Sequence, residues 1–245
     1  MMASILITGS ADGLGQLAAT ALVDQGHQVV LHARNAERAR HAKQSVPGAA
    51  HVTVGDLSDV DDIRQVADQA NAWGRFDAVI HNAGVYRAQA REVFIVNTLA
   101  PYLLTCLMHR PNRLIYLSSD MHLQGRANLE QLARDQSRVS YSDSKLYVTM
   151  LCMAVARKWP DVYANAVDPG WVPTKMGGPG ASDDLQQGYE TQVWLAVSDD
   201  RAAQVSGRYF HHRTATPCHP QADDVALQER LLSICGELTG IAFPN

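Results

Sequence analysis

The sequence predicts an α/β fold with a doubly wound parallel sheet of about seven strands, and two observations carry that prediction. Short, almost continuous apolar runs alternate with longer helical patterns along the chain, the signature of parallel strands buried on both faces. A Gly-rich turn, "TGSADGLG", joins the first run to the first helical pattern, where folds of this kind present bare N–H groups and a positive helix end. With 245 residues, 46% of them apolar, the chain is long enough for one domain over 1–245 with a sizeable core.

The elements follow in order. "SILIT" reads as a strand and 13–26 as a helix; "QVVLH" is followed by a helix over 36–45, and "HVTV" by one over 59–72. "FDAVIH" leads into a long helix over 89–109, and "RLIYLSS" precedes a helix over 140–158. "VYANAVD" and "GRYFHH" complete the strands, and 223–238 forms the last helix. The runs are rich in Val, Ile, Leu and aromatic residues, whereas the helical stretches repeat their apolar positions at three and four residues. No internal repeat or linker divides the chain. The loop "PTKMGGPGASDD" at 173–184 is rich in Gly and Pro; it reads either as a surface connection or as a flap over a substrate pocket.

The net charge of -4, with Lys and Arg scattered, leaves no basic stripe for a nucleic acid. Cys106, Cys152, Cys218 and Cys235 lack zinc-site spacing and read as reduced thiols. His211, His212 and His219 lack ligand spacing too, so no metal is expected. The N-terminal stretch has no secretory pattern and no apolar run is long enough to span a bilayer. The expectation is a cytoplasmic protein with a small-molecule substrate.

Gly9, Gly13 and Gly15 are spaced GxxxGxG rather than GxGxxG, so alone they fit either a nucleotide cradle or a tight turn. The end of the second strand discriminates further. A carboxylate there would accept hydrogen bonds from the ribose diol of NAD, but Ala33 occupies the place and Arg34 follows. A guanidinium without a neighbouring acid suits the 2′-phosphate of NADP, although an Arg in a solvated loop would look the same. "YSDSK" places Tyr141 and Lys145 one helical turn apart on one face, which is compatible with a shared substrate or with a solvated helix start.

Taken together, "TGSADGLG", "HNAG" at 81–84, "VNTLAPYLLT", "IYLSS", "YSDSK" and "DPGWVPT" occur in the order seen in short-chain dehydrogenases/reductases. The chain resembles that family over nearly its whole length. "SGRYF" and "RLLSICGELTG" resemble the retinol-dehydrogenase-like branch. The resemblance implies a single-domain Rossmann fold with Asn97, Ser119, Tyr141 and Lys145 as the catalytic set. It further implies that Gly9, Ser10, Asp12, Gly13, Leu14 and Gly15 hold the pyrophosphate and that Arg34, Asp56 and Leu57 surround the adenosine end. By the same resemblance, Asn82, Ala83 and Gly84 line the central crevice, and Pro169, Gly170, Val172 and Thr174 hold the nicotinamide, with Tyr141 and Lys145 also touching the cofactor. His81 departs from the family's "NNAG", and Ser119 precedes Tyr141 by more residues than in many members. Members often form homodimers or homotetramers through helices such as 90–109 and 140–158.

The implied chemistry is NADP(H)-dependent interconversion of a ketone or aldehyde with its alcohol. A phenol of reference pKa about 10 exchanges protons poorly at neutral pH, and an ammonium beside it lowers that value; Lys145 would activate Tyr141 in this way. Ser119 would donate to the substrate oxygen, and Asn97, an amide inside an apolar helix, would hold a water linked to Lys145. Tyr86, His122, Trp171 and Met176 are the expected substrate contacts. Two rival readings are an epimerase or dehydratase of the extended branch and a regulator that binds NADP without turnover. The first usually has a larger C-terminal substrate region, and the second tends to lose the Tyr and Lys present here.

Overall fold

The computed structural model describes residues 2–244. Strands β1 (Ser4–Ile7), β2 (Gln28–Ala33), β3 (His51–Val54), β4 (Ala78–His81), β5 (Arg113–Leu117), β6 (Tyr163–Asp168), β7 (Arg208–His211) and β8 (Thr214–Thr216) form one sheet in the order β3-β2-β1-β4-β5-β6-β7-β8. All pairings are parallel except β7 with β8. The strand order reverses between β1 and β4, and such a reversal opens a crevice beyond the carboxyl ends of the two strands.

The alternation of side chains along each strand explains both cores. Ile5 and Ile7 of β1 join Val29, Leu31, Ile80 and Ile115 on one face, covered by α1 (Gly13–Asp24), α2 (Ala36–Ser45) and α8 (Leu185–Val197). Leu6 joins Val30, Val79 and Leu114 on the other face, under α3 (Val60–Trp73), α5 (Ala100–Leu107) and α7 (Tyr141–Lys158). Because both faces are buried, these strands carry apolar residues at consecutive positions.

Three features differ from the sequence-based expectation. The helix expected over 89–109 is α4 (Ala90–Phe94), a π turn over Ile95–Leu99 and α5. Helix α8 was not anticipated, because Gly188 interrupts its pattern; a Cβ there would lie 2.7 Å from Val172 Cγ1 and 3.2 Å from Leu14 Cδ2, so the glycine permits close packing. The eighth strand, β8, follows a two-residue turn in which His212 and Arg213 both have positive φ, a hairpin geometry usually marked by Asn or Gly.

Residues 144–155 of α7 are buried within the single chain. Helix α9 (Val225–Thr239) packs on α7 and on α6 (Leu129–Arg134), an element of the long segment before Tyr141. The tail adds cover: Tyr102 Oη donates to Ile241 O at 2.7 Å, Trp159 Nε1 donates to Pro244 O at 3.3 Å, and the Phe243 ring lies against both aromatics. The chain's own α6, α9 and tail therefore pack around α7 and Tyr102.

Candidate active site

The Gly-rich turn leaves β1 at the strand-order reversal. Gly9 has φ 62°, and a Cβ on it would lie 2.8 Å from Ala83 Cα. A Cβ on Gly15 would meet Asn82 Nδ2 at 2.4 Å, so both positions are glycine for want of space. Helix α1 has no side-chain cap hydrogen bond, which leaves its first-turn N–H groups available to an acceptor. Gly9, Gly13 and Leu14 line a crevice of about 570 Å³ together with Asn82, Tyr141 and Lys145. Ser10 is buried, its Oγ donating to Ile7 O at 2.9 Å and accepting from His32 N.

His32, to which the sequence reading gave no role, fixes this turn. Gly9 N donates to His32 Nδ1 at 3.0 Å, and Nε2 faces Gly55 O at 2.9 Å. The ring is therefore the neutral Nε2–H tautomer, and burial drives its pKa down to about 4. Asn82 holds the turn from the other side, its Nδ2 donating to Thr8 O and Gly9 O. Ala83 and Gly84 continue along the crevice wall.

At the β2 end of the crevice, Ala33 closes β2 and Arg34 lies exposed on the rim. Arg38 and Lys175 also line the crevice, and both ion-pair with Asp12, the lysine at 3.0 Å. Burial raises the Asp12 pKa, but these two cations outweigh it and hold the carboxyl below its usual value. The sequence reading identified Asp12 but neither cation. Asp56 turns its Oδ1 back to Ser58 N and Oγ, and Leu57 is buried on the wall.

At the other end, Ser119 follows β5 and Tyr141 opens α7 behind a Ser140/Asp143 capping box. Lys145 is 4% exposed, donates from Nζ to Leu117 O at 2.8 Å, and lies 5.5 Å from the Tyr141 ring centroid. Burial lowers its pKa to about 8 against the opposing pull of Asp168. Tyr141 is shifted the other way: burial pushes its pKa up, Ser119 opposes this by hydrogen bonding, and Asp168, Asp120 and Tyr86 reinforce it. Desolvation is the largest effect on Tyr141, so the expected lowering by Lys145 does not decide its pKa. Ser119 Oγ donates to Asp120 Oδ1 at 3.0 Å.

Asn97 sits in the π turn, a frequent local device at functional sites. Its Oδ1 accepts from Val85 N at 2.8 Å, and its Nδ2 donates to Val85 O and Ser144 Oγ. The Asn97 amide thereby clamps the loop after β4. The same clamp places Asn97 Oδ1 and Lys145 Nζ about Gly84, at 3.4 and 3.5 Å from where its Cβ would be.

After β6, Pro169 and Thr174 line the crevice. Gly170, at φ 79°, borders a second cavity instead, and Val172 is buried against Gly188. Met176 is on the crevice wall, and the exposed Tyr86 packs edge-on against Tyr141 at 4.8 Å. Trp171 borders the second cavity. His122, read as a loop side chain facing substrate, is fully buried: Nδ1 donates to Ser119 O at 2.7 Å and Nε2 accepts from His219 N. Its nitrogens are committed to backbone groups, so only its ring is left to border that cavity. Among the described residues, no group of three or more His, Cys, Asp or Glu side chains could hold a metal, and no helix is long and apolar enough to cross a membrane.

The family profile described as short chain dehydrogenase matches residues 3–184. An uncharacterized oxidoreductase of Emericella nidulans is 46% identical over 259 residues, covering 100% of both chains. Human retinol dehydrogenase 13 is 28% identical, with 99% of this chain and 86% of that one covered. Among solved structures, an uncharacterized protein from Mycobacterium paratuberculosis superposes with a TM-score of 0.84 at 25% identity, covering 99% and 95% of the two chains. A short chain dehydrogenase from Shigella flexneri, solved with NADP, gives 0.68 at 23% identity, with 86% and 97% covered. The fold, the ordered motifs and these matches agree, and the chain belongs to the short-chain dehydrogenases/reductases, with its likeness to retinol dehydrogenases placing it in that branch.

Proposed function

We propose that the protein is an NADP(H)-dependent oxidoreductase that interconverts a ketone or aldehyde with its alcohol. The observation that carries this reading is the convergence of Tyr141 and Lys145 on the same crevice as the Gly9–Leu14 turn. The crevice residues fit a dinucleotide. Two glycines stand where a Cβ would collide, the α1 N-terminus faces the pyrophosphate position, and Arg34, Arg38 and Lys175 gather at the adenosine end.

When bound, NADPH supplies the hydride for the carbonyl carbon. Tyr141 donates the proton to the carbonyl oxygen, and its raised pKa keeps it in the protonated form that reduction requires. Ser119 Oγ turns from Asp120 to the substrate oxygen and stabilises the charge that develops there. Lys145 is positioned beside Gly84 to bind the nicotinamide ribose. Asn97 keeps the 84–86 loop in place. The Shigella flexneri protein's NADP complex supports the cofactor assignment by analogy of fold.

The test is NADPH oxidation, followed by absorbance, across a panel of aryl, aliphatic and cyclic ketones and aldehydes, with the reverse reaction run on their alcohols. At least one carbonyl is expected to drive stoichiometric NADPH oxidation and yield its alcohol. Cofactor binding without turnover of any member would favour a regulator.

A further inference from the structure

His32 is a polar residue near the end of an apolar strand, and its ring reaches two of the loops that line the crevice. On one side Nδ1 accepts from Gly9 N at 3.0 Å; on the other, Nε2 donates to Gly55 O at 2.9 Å. The backbone of the same residue joins in, because Ser10 N donates to His32 O at 3.1 Å and His32 N donates to Ser10 Oγ at 2.9 Å. The residue is 3% exposed yet forms part of the crevice wall. One side chain on β2 thus ties the turn after β1 to the segment after β3.

Both loops need such a tie. Gly9 sits at φ 62°, and glycine loses more conformational freedom on ordering than any other residue. Both of its backbone groups are pinned, the N–H by His32 and the oxygen by Asn82 Nδ2 at 3.0 Å. Gly55 precedes Asp56 and Leu57, which line the crevice. That segment is held from below, with Gly55 N donating to Ala33 O and Asp56 N donating to Asp62 Oδ2. The His32 ring carries the constraint from there to the Gly-rich turn. It can do so only when neutral, since a proton on Nδ1 would set two donors face to face at Gly9. Burial keeps it neutral by lowering its pKa to about 4, against the opposing pull of Gly55 O and Asp56.

We propose that His32 is a positioning residue for the dinucleotide: by bridging Gly9 and Gly55 it presets the Gly-rich turn and the Asp56–Leu57 wall as one unit, and so sets cofactor affinity rather than the rate of the chemical step. The proposal rests on the NADP(H) reading of the crevice. Both ring nitrogens are spent on backbone groups, so His32 acts through the loops it holds and not on the reacting atoms. A site ordered on folding leaves less ordering to be done on binding.

Three substitutions in the full chain separate the two arms from the ring. His32→Asn puts an amide oxygen where Nδ1 stands and keeps the Gly9 acceptor, His32→Gln reaches Gly55 O with its amide nitrogen and leaves Gly9 N without a partner, and His32→Phe keeps the ring and loses both arms. The readouts are the NADPH dissociation constant by fluorescence, KM and kcat with the best carbonyl, and amide exchange at 9–10 and 55–57 in the cofactor-free chain. His32→Phe is expected to raise Kd and KM for NADPH by roughly tenfold or more, to lower kcat at saturating cofactor far less, and to speed exchange in both segments. Asn and Gln should each recover part of the affinity and loosen only the segment whose partner was lost. Should His32→Phe not fold, that contrast between Asn and Gln carries the test. NADPH affinity equal to wild type in the variants, weakened binding with exchange unchanged in both segments, or a loss that falls on kcat instead of KM overturns the proposal. A wild type that binds neither NADPH nor NADH removes the cofactor reading and the proposal together. Binding without turnover, with the variants behaving as expected, supports the proposal and counts against the reductase reading alone.

Discussion

Arg34 shows what a single side chain can reveal from sequence and what it cannot. Its place after Ala33 is readable because β2 ends there and no carboxylate is present to bind a ribose diol. The structure leaves it exposed on the crevice rim, with no hydrogen bond or ion pair to another described residue. Its two cationic neighbours were hidden, because Arg38 lies one turn into α2 and Lys175 far along the chain, and only folding brings both to Asp12. His32 was hidden for another reason: a histidine inside an apolar strand carries no signal of the N–H it will accept. A charge-assisted contact to phosphate is worth about 1.5–3 kcal/mol, so NADPH should be preferred over NADH by roughly ten- to a hundredfold in kcat/KM. Arg34→Ala should raise KM for NADPH by about tenfold with little change for NADH. Arg38 and Lys175 remain to sustain part of the preference. Steady-state kinetics with both cofactors checks this; an unchanged preference in the variant would assign Arg34 to solvent.

At the scale of elements, the long periodic helices and apolar strands were legible and the departures from regularity were not. The π turn that carries Asn97 reads as ordinary helix in sequence, because its apolar pattern continues on both sides. Helix α8 was obscured by Gly188, whose absence of a side chain serves packing against Val172 and Leu14. The segment 120–139 was recognisable as long, but its packing of α6 on α9 follows from contacts nearly a hundred residues apart, such as Arg230 with Glu130. The loop 173–184 has no helix or strand. It is tied down by the Lys175 ion pair to Asp12 and by Trp171 Nε1 donating to Gly177 O. Few apolar anchors and an exposed ion pair of small worth predict low local stability. Amide exchange in the cofactor-free protein should therefore be much faster over 173–184 than in β4 and β5, and NADPH with product alcohol should slow it. Lys175→Ala should speed it further. Exchange as slow as in the sheet before any ligand is added would remove the flap from the account.

For the whole molecule, the parallel sheet was readable because burial on both faces forces apolar residues at successive positions, which no amphipathic surface strand requires. The site was readable in outline because the crevice position follows from strand order and the motifs fall at strand ends. Its electrostatics were not, since they depend on burial: desolvation is the largest effect at Tyr141 and at Lys145 alike. That result sharpens the central claim. A phenol that holds its proton is a donor for carbonyl reduction, and little in the fold depends on its hydroxyl, because α7 starts from the Ser140/Asp143 box and its body is buried elsewhere. The most direct test is Tyr141→Phe, with NADPH binding measured by fluorescence and NADPH oxidation by absorbance on the best carbonyl substrate. The account predicts NADPH affinity within about threefold of wild type and a fall in kcat of roughly a hundredfold or more. Retention of more than about a tenth of wild-type kcat would contradict it and place the proton donor on another residue.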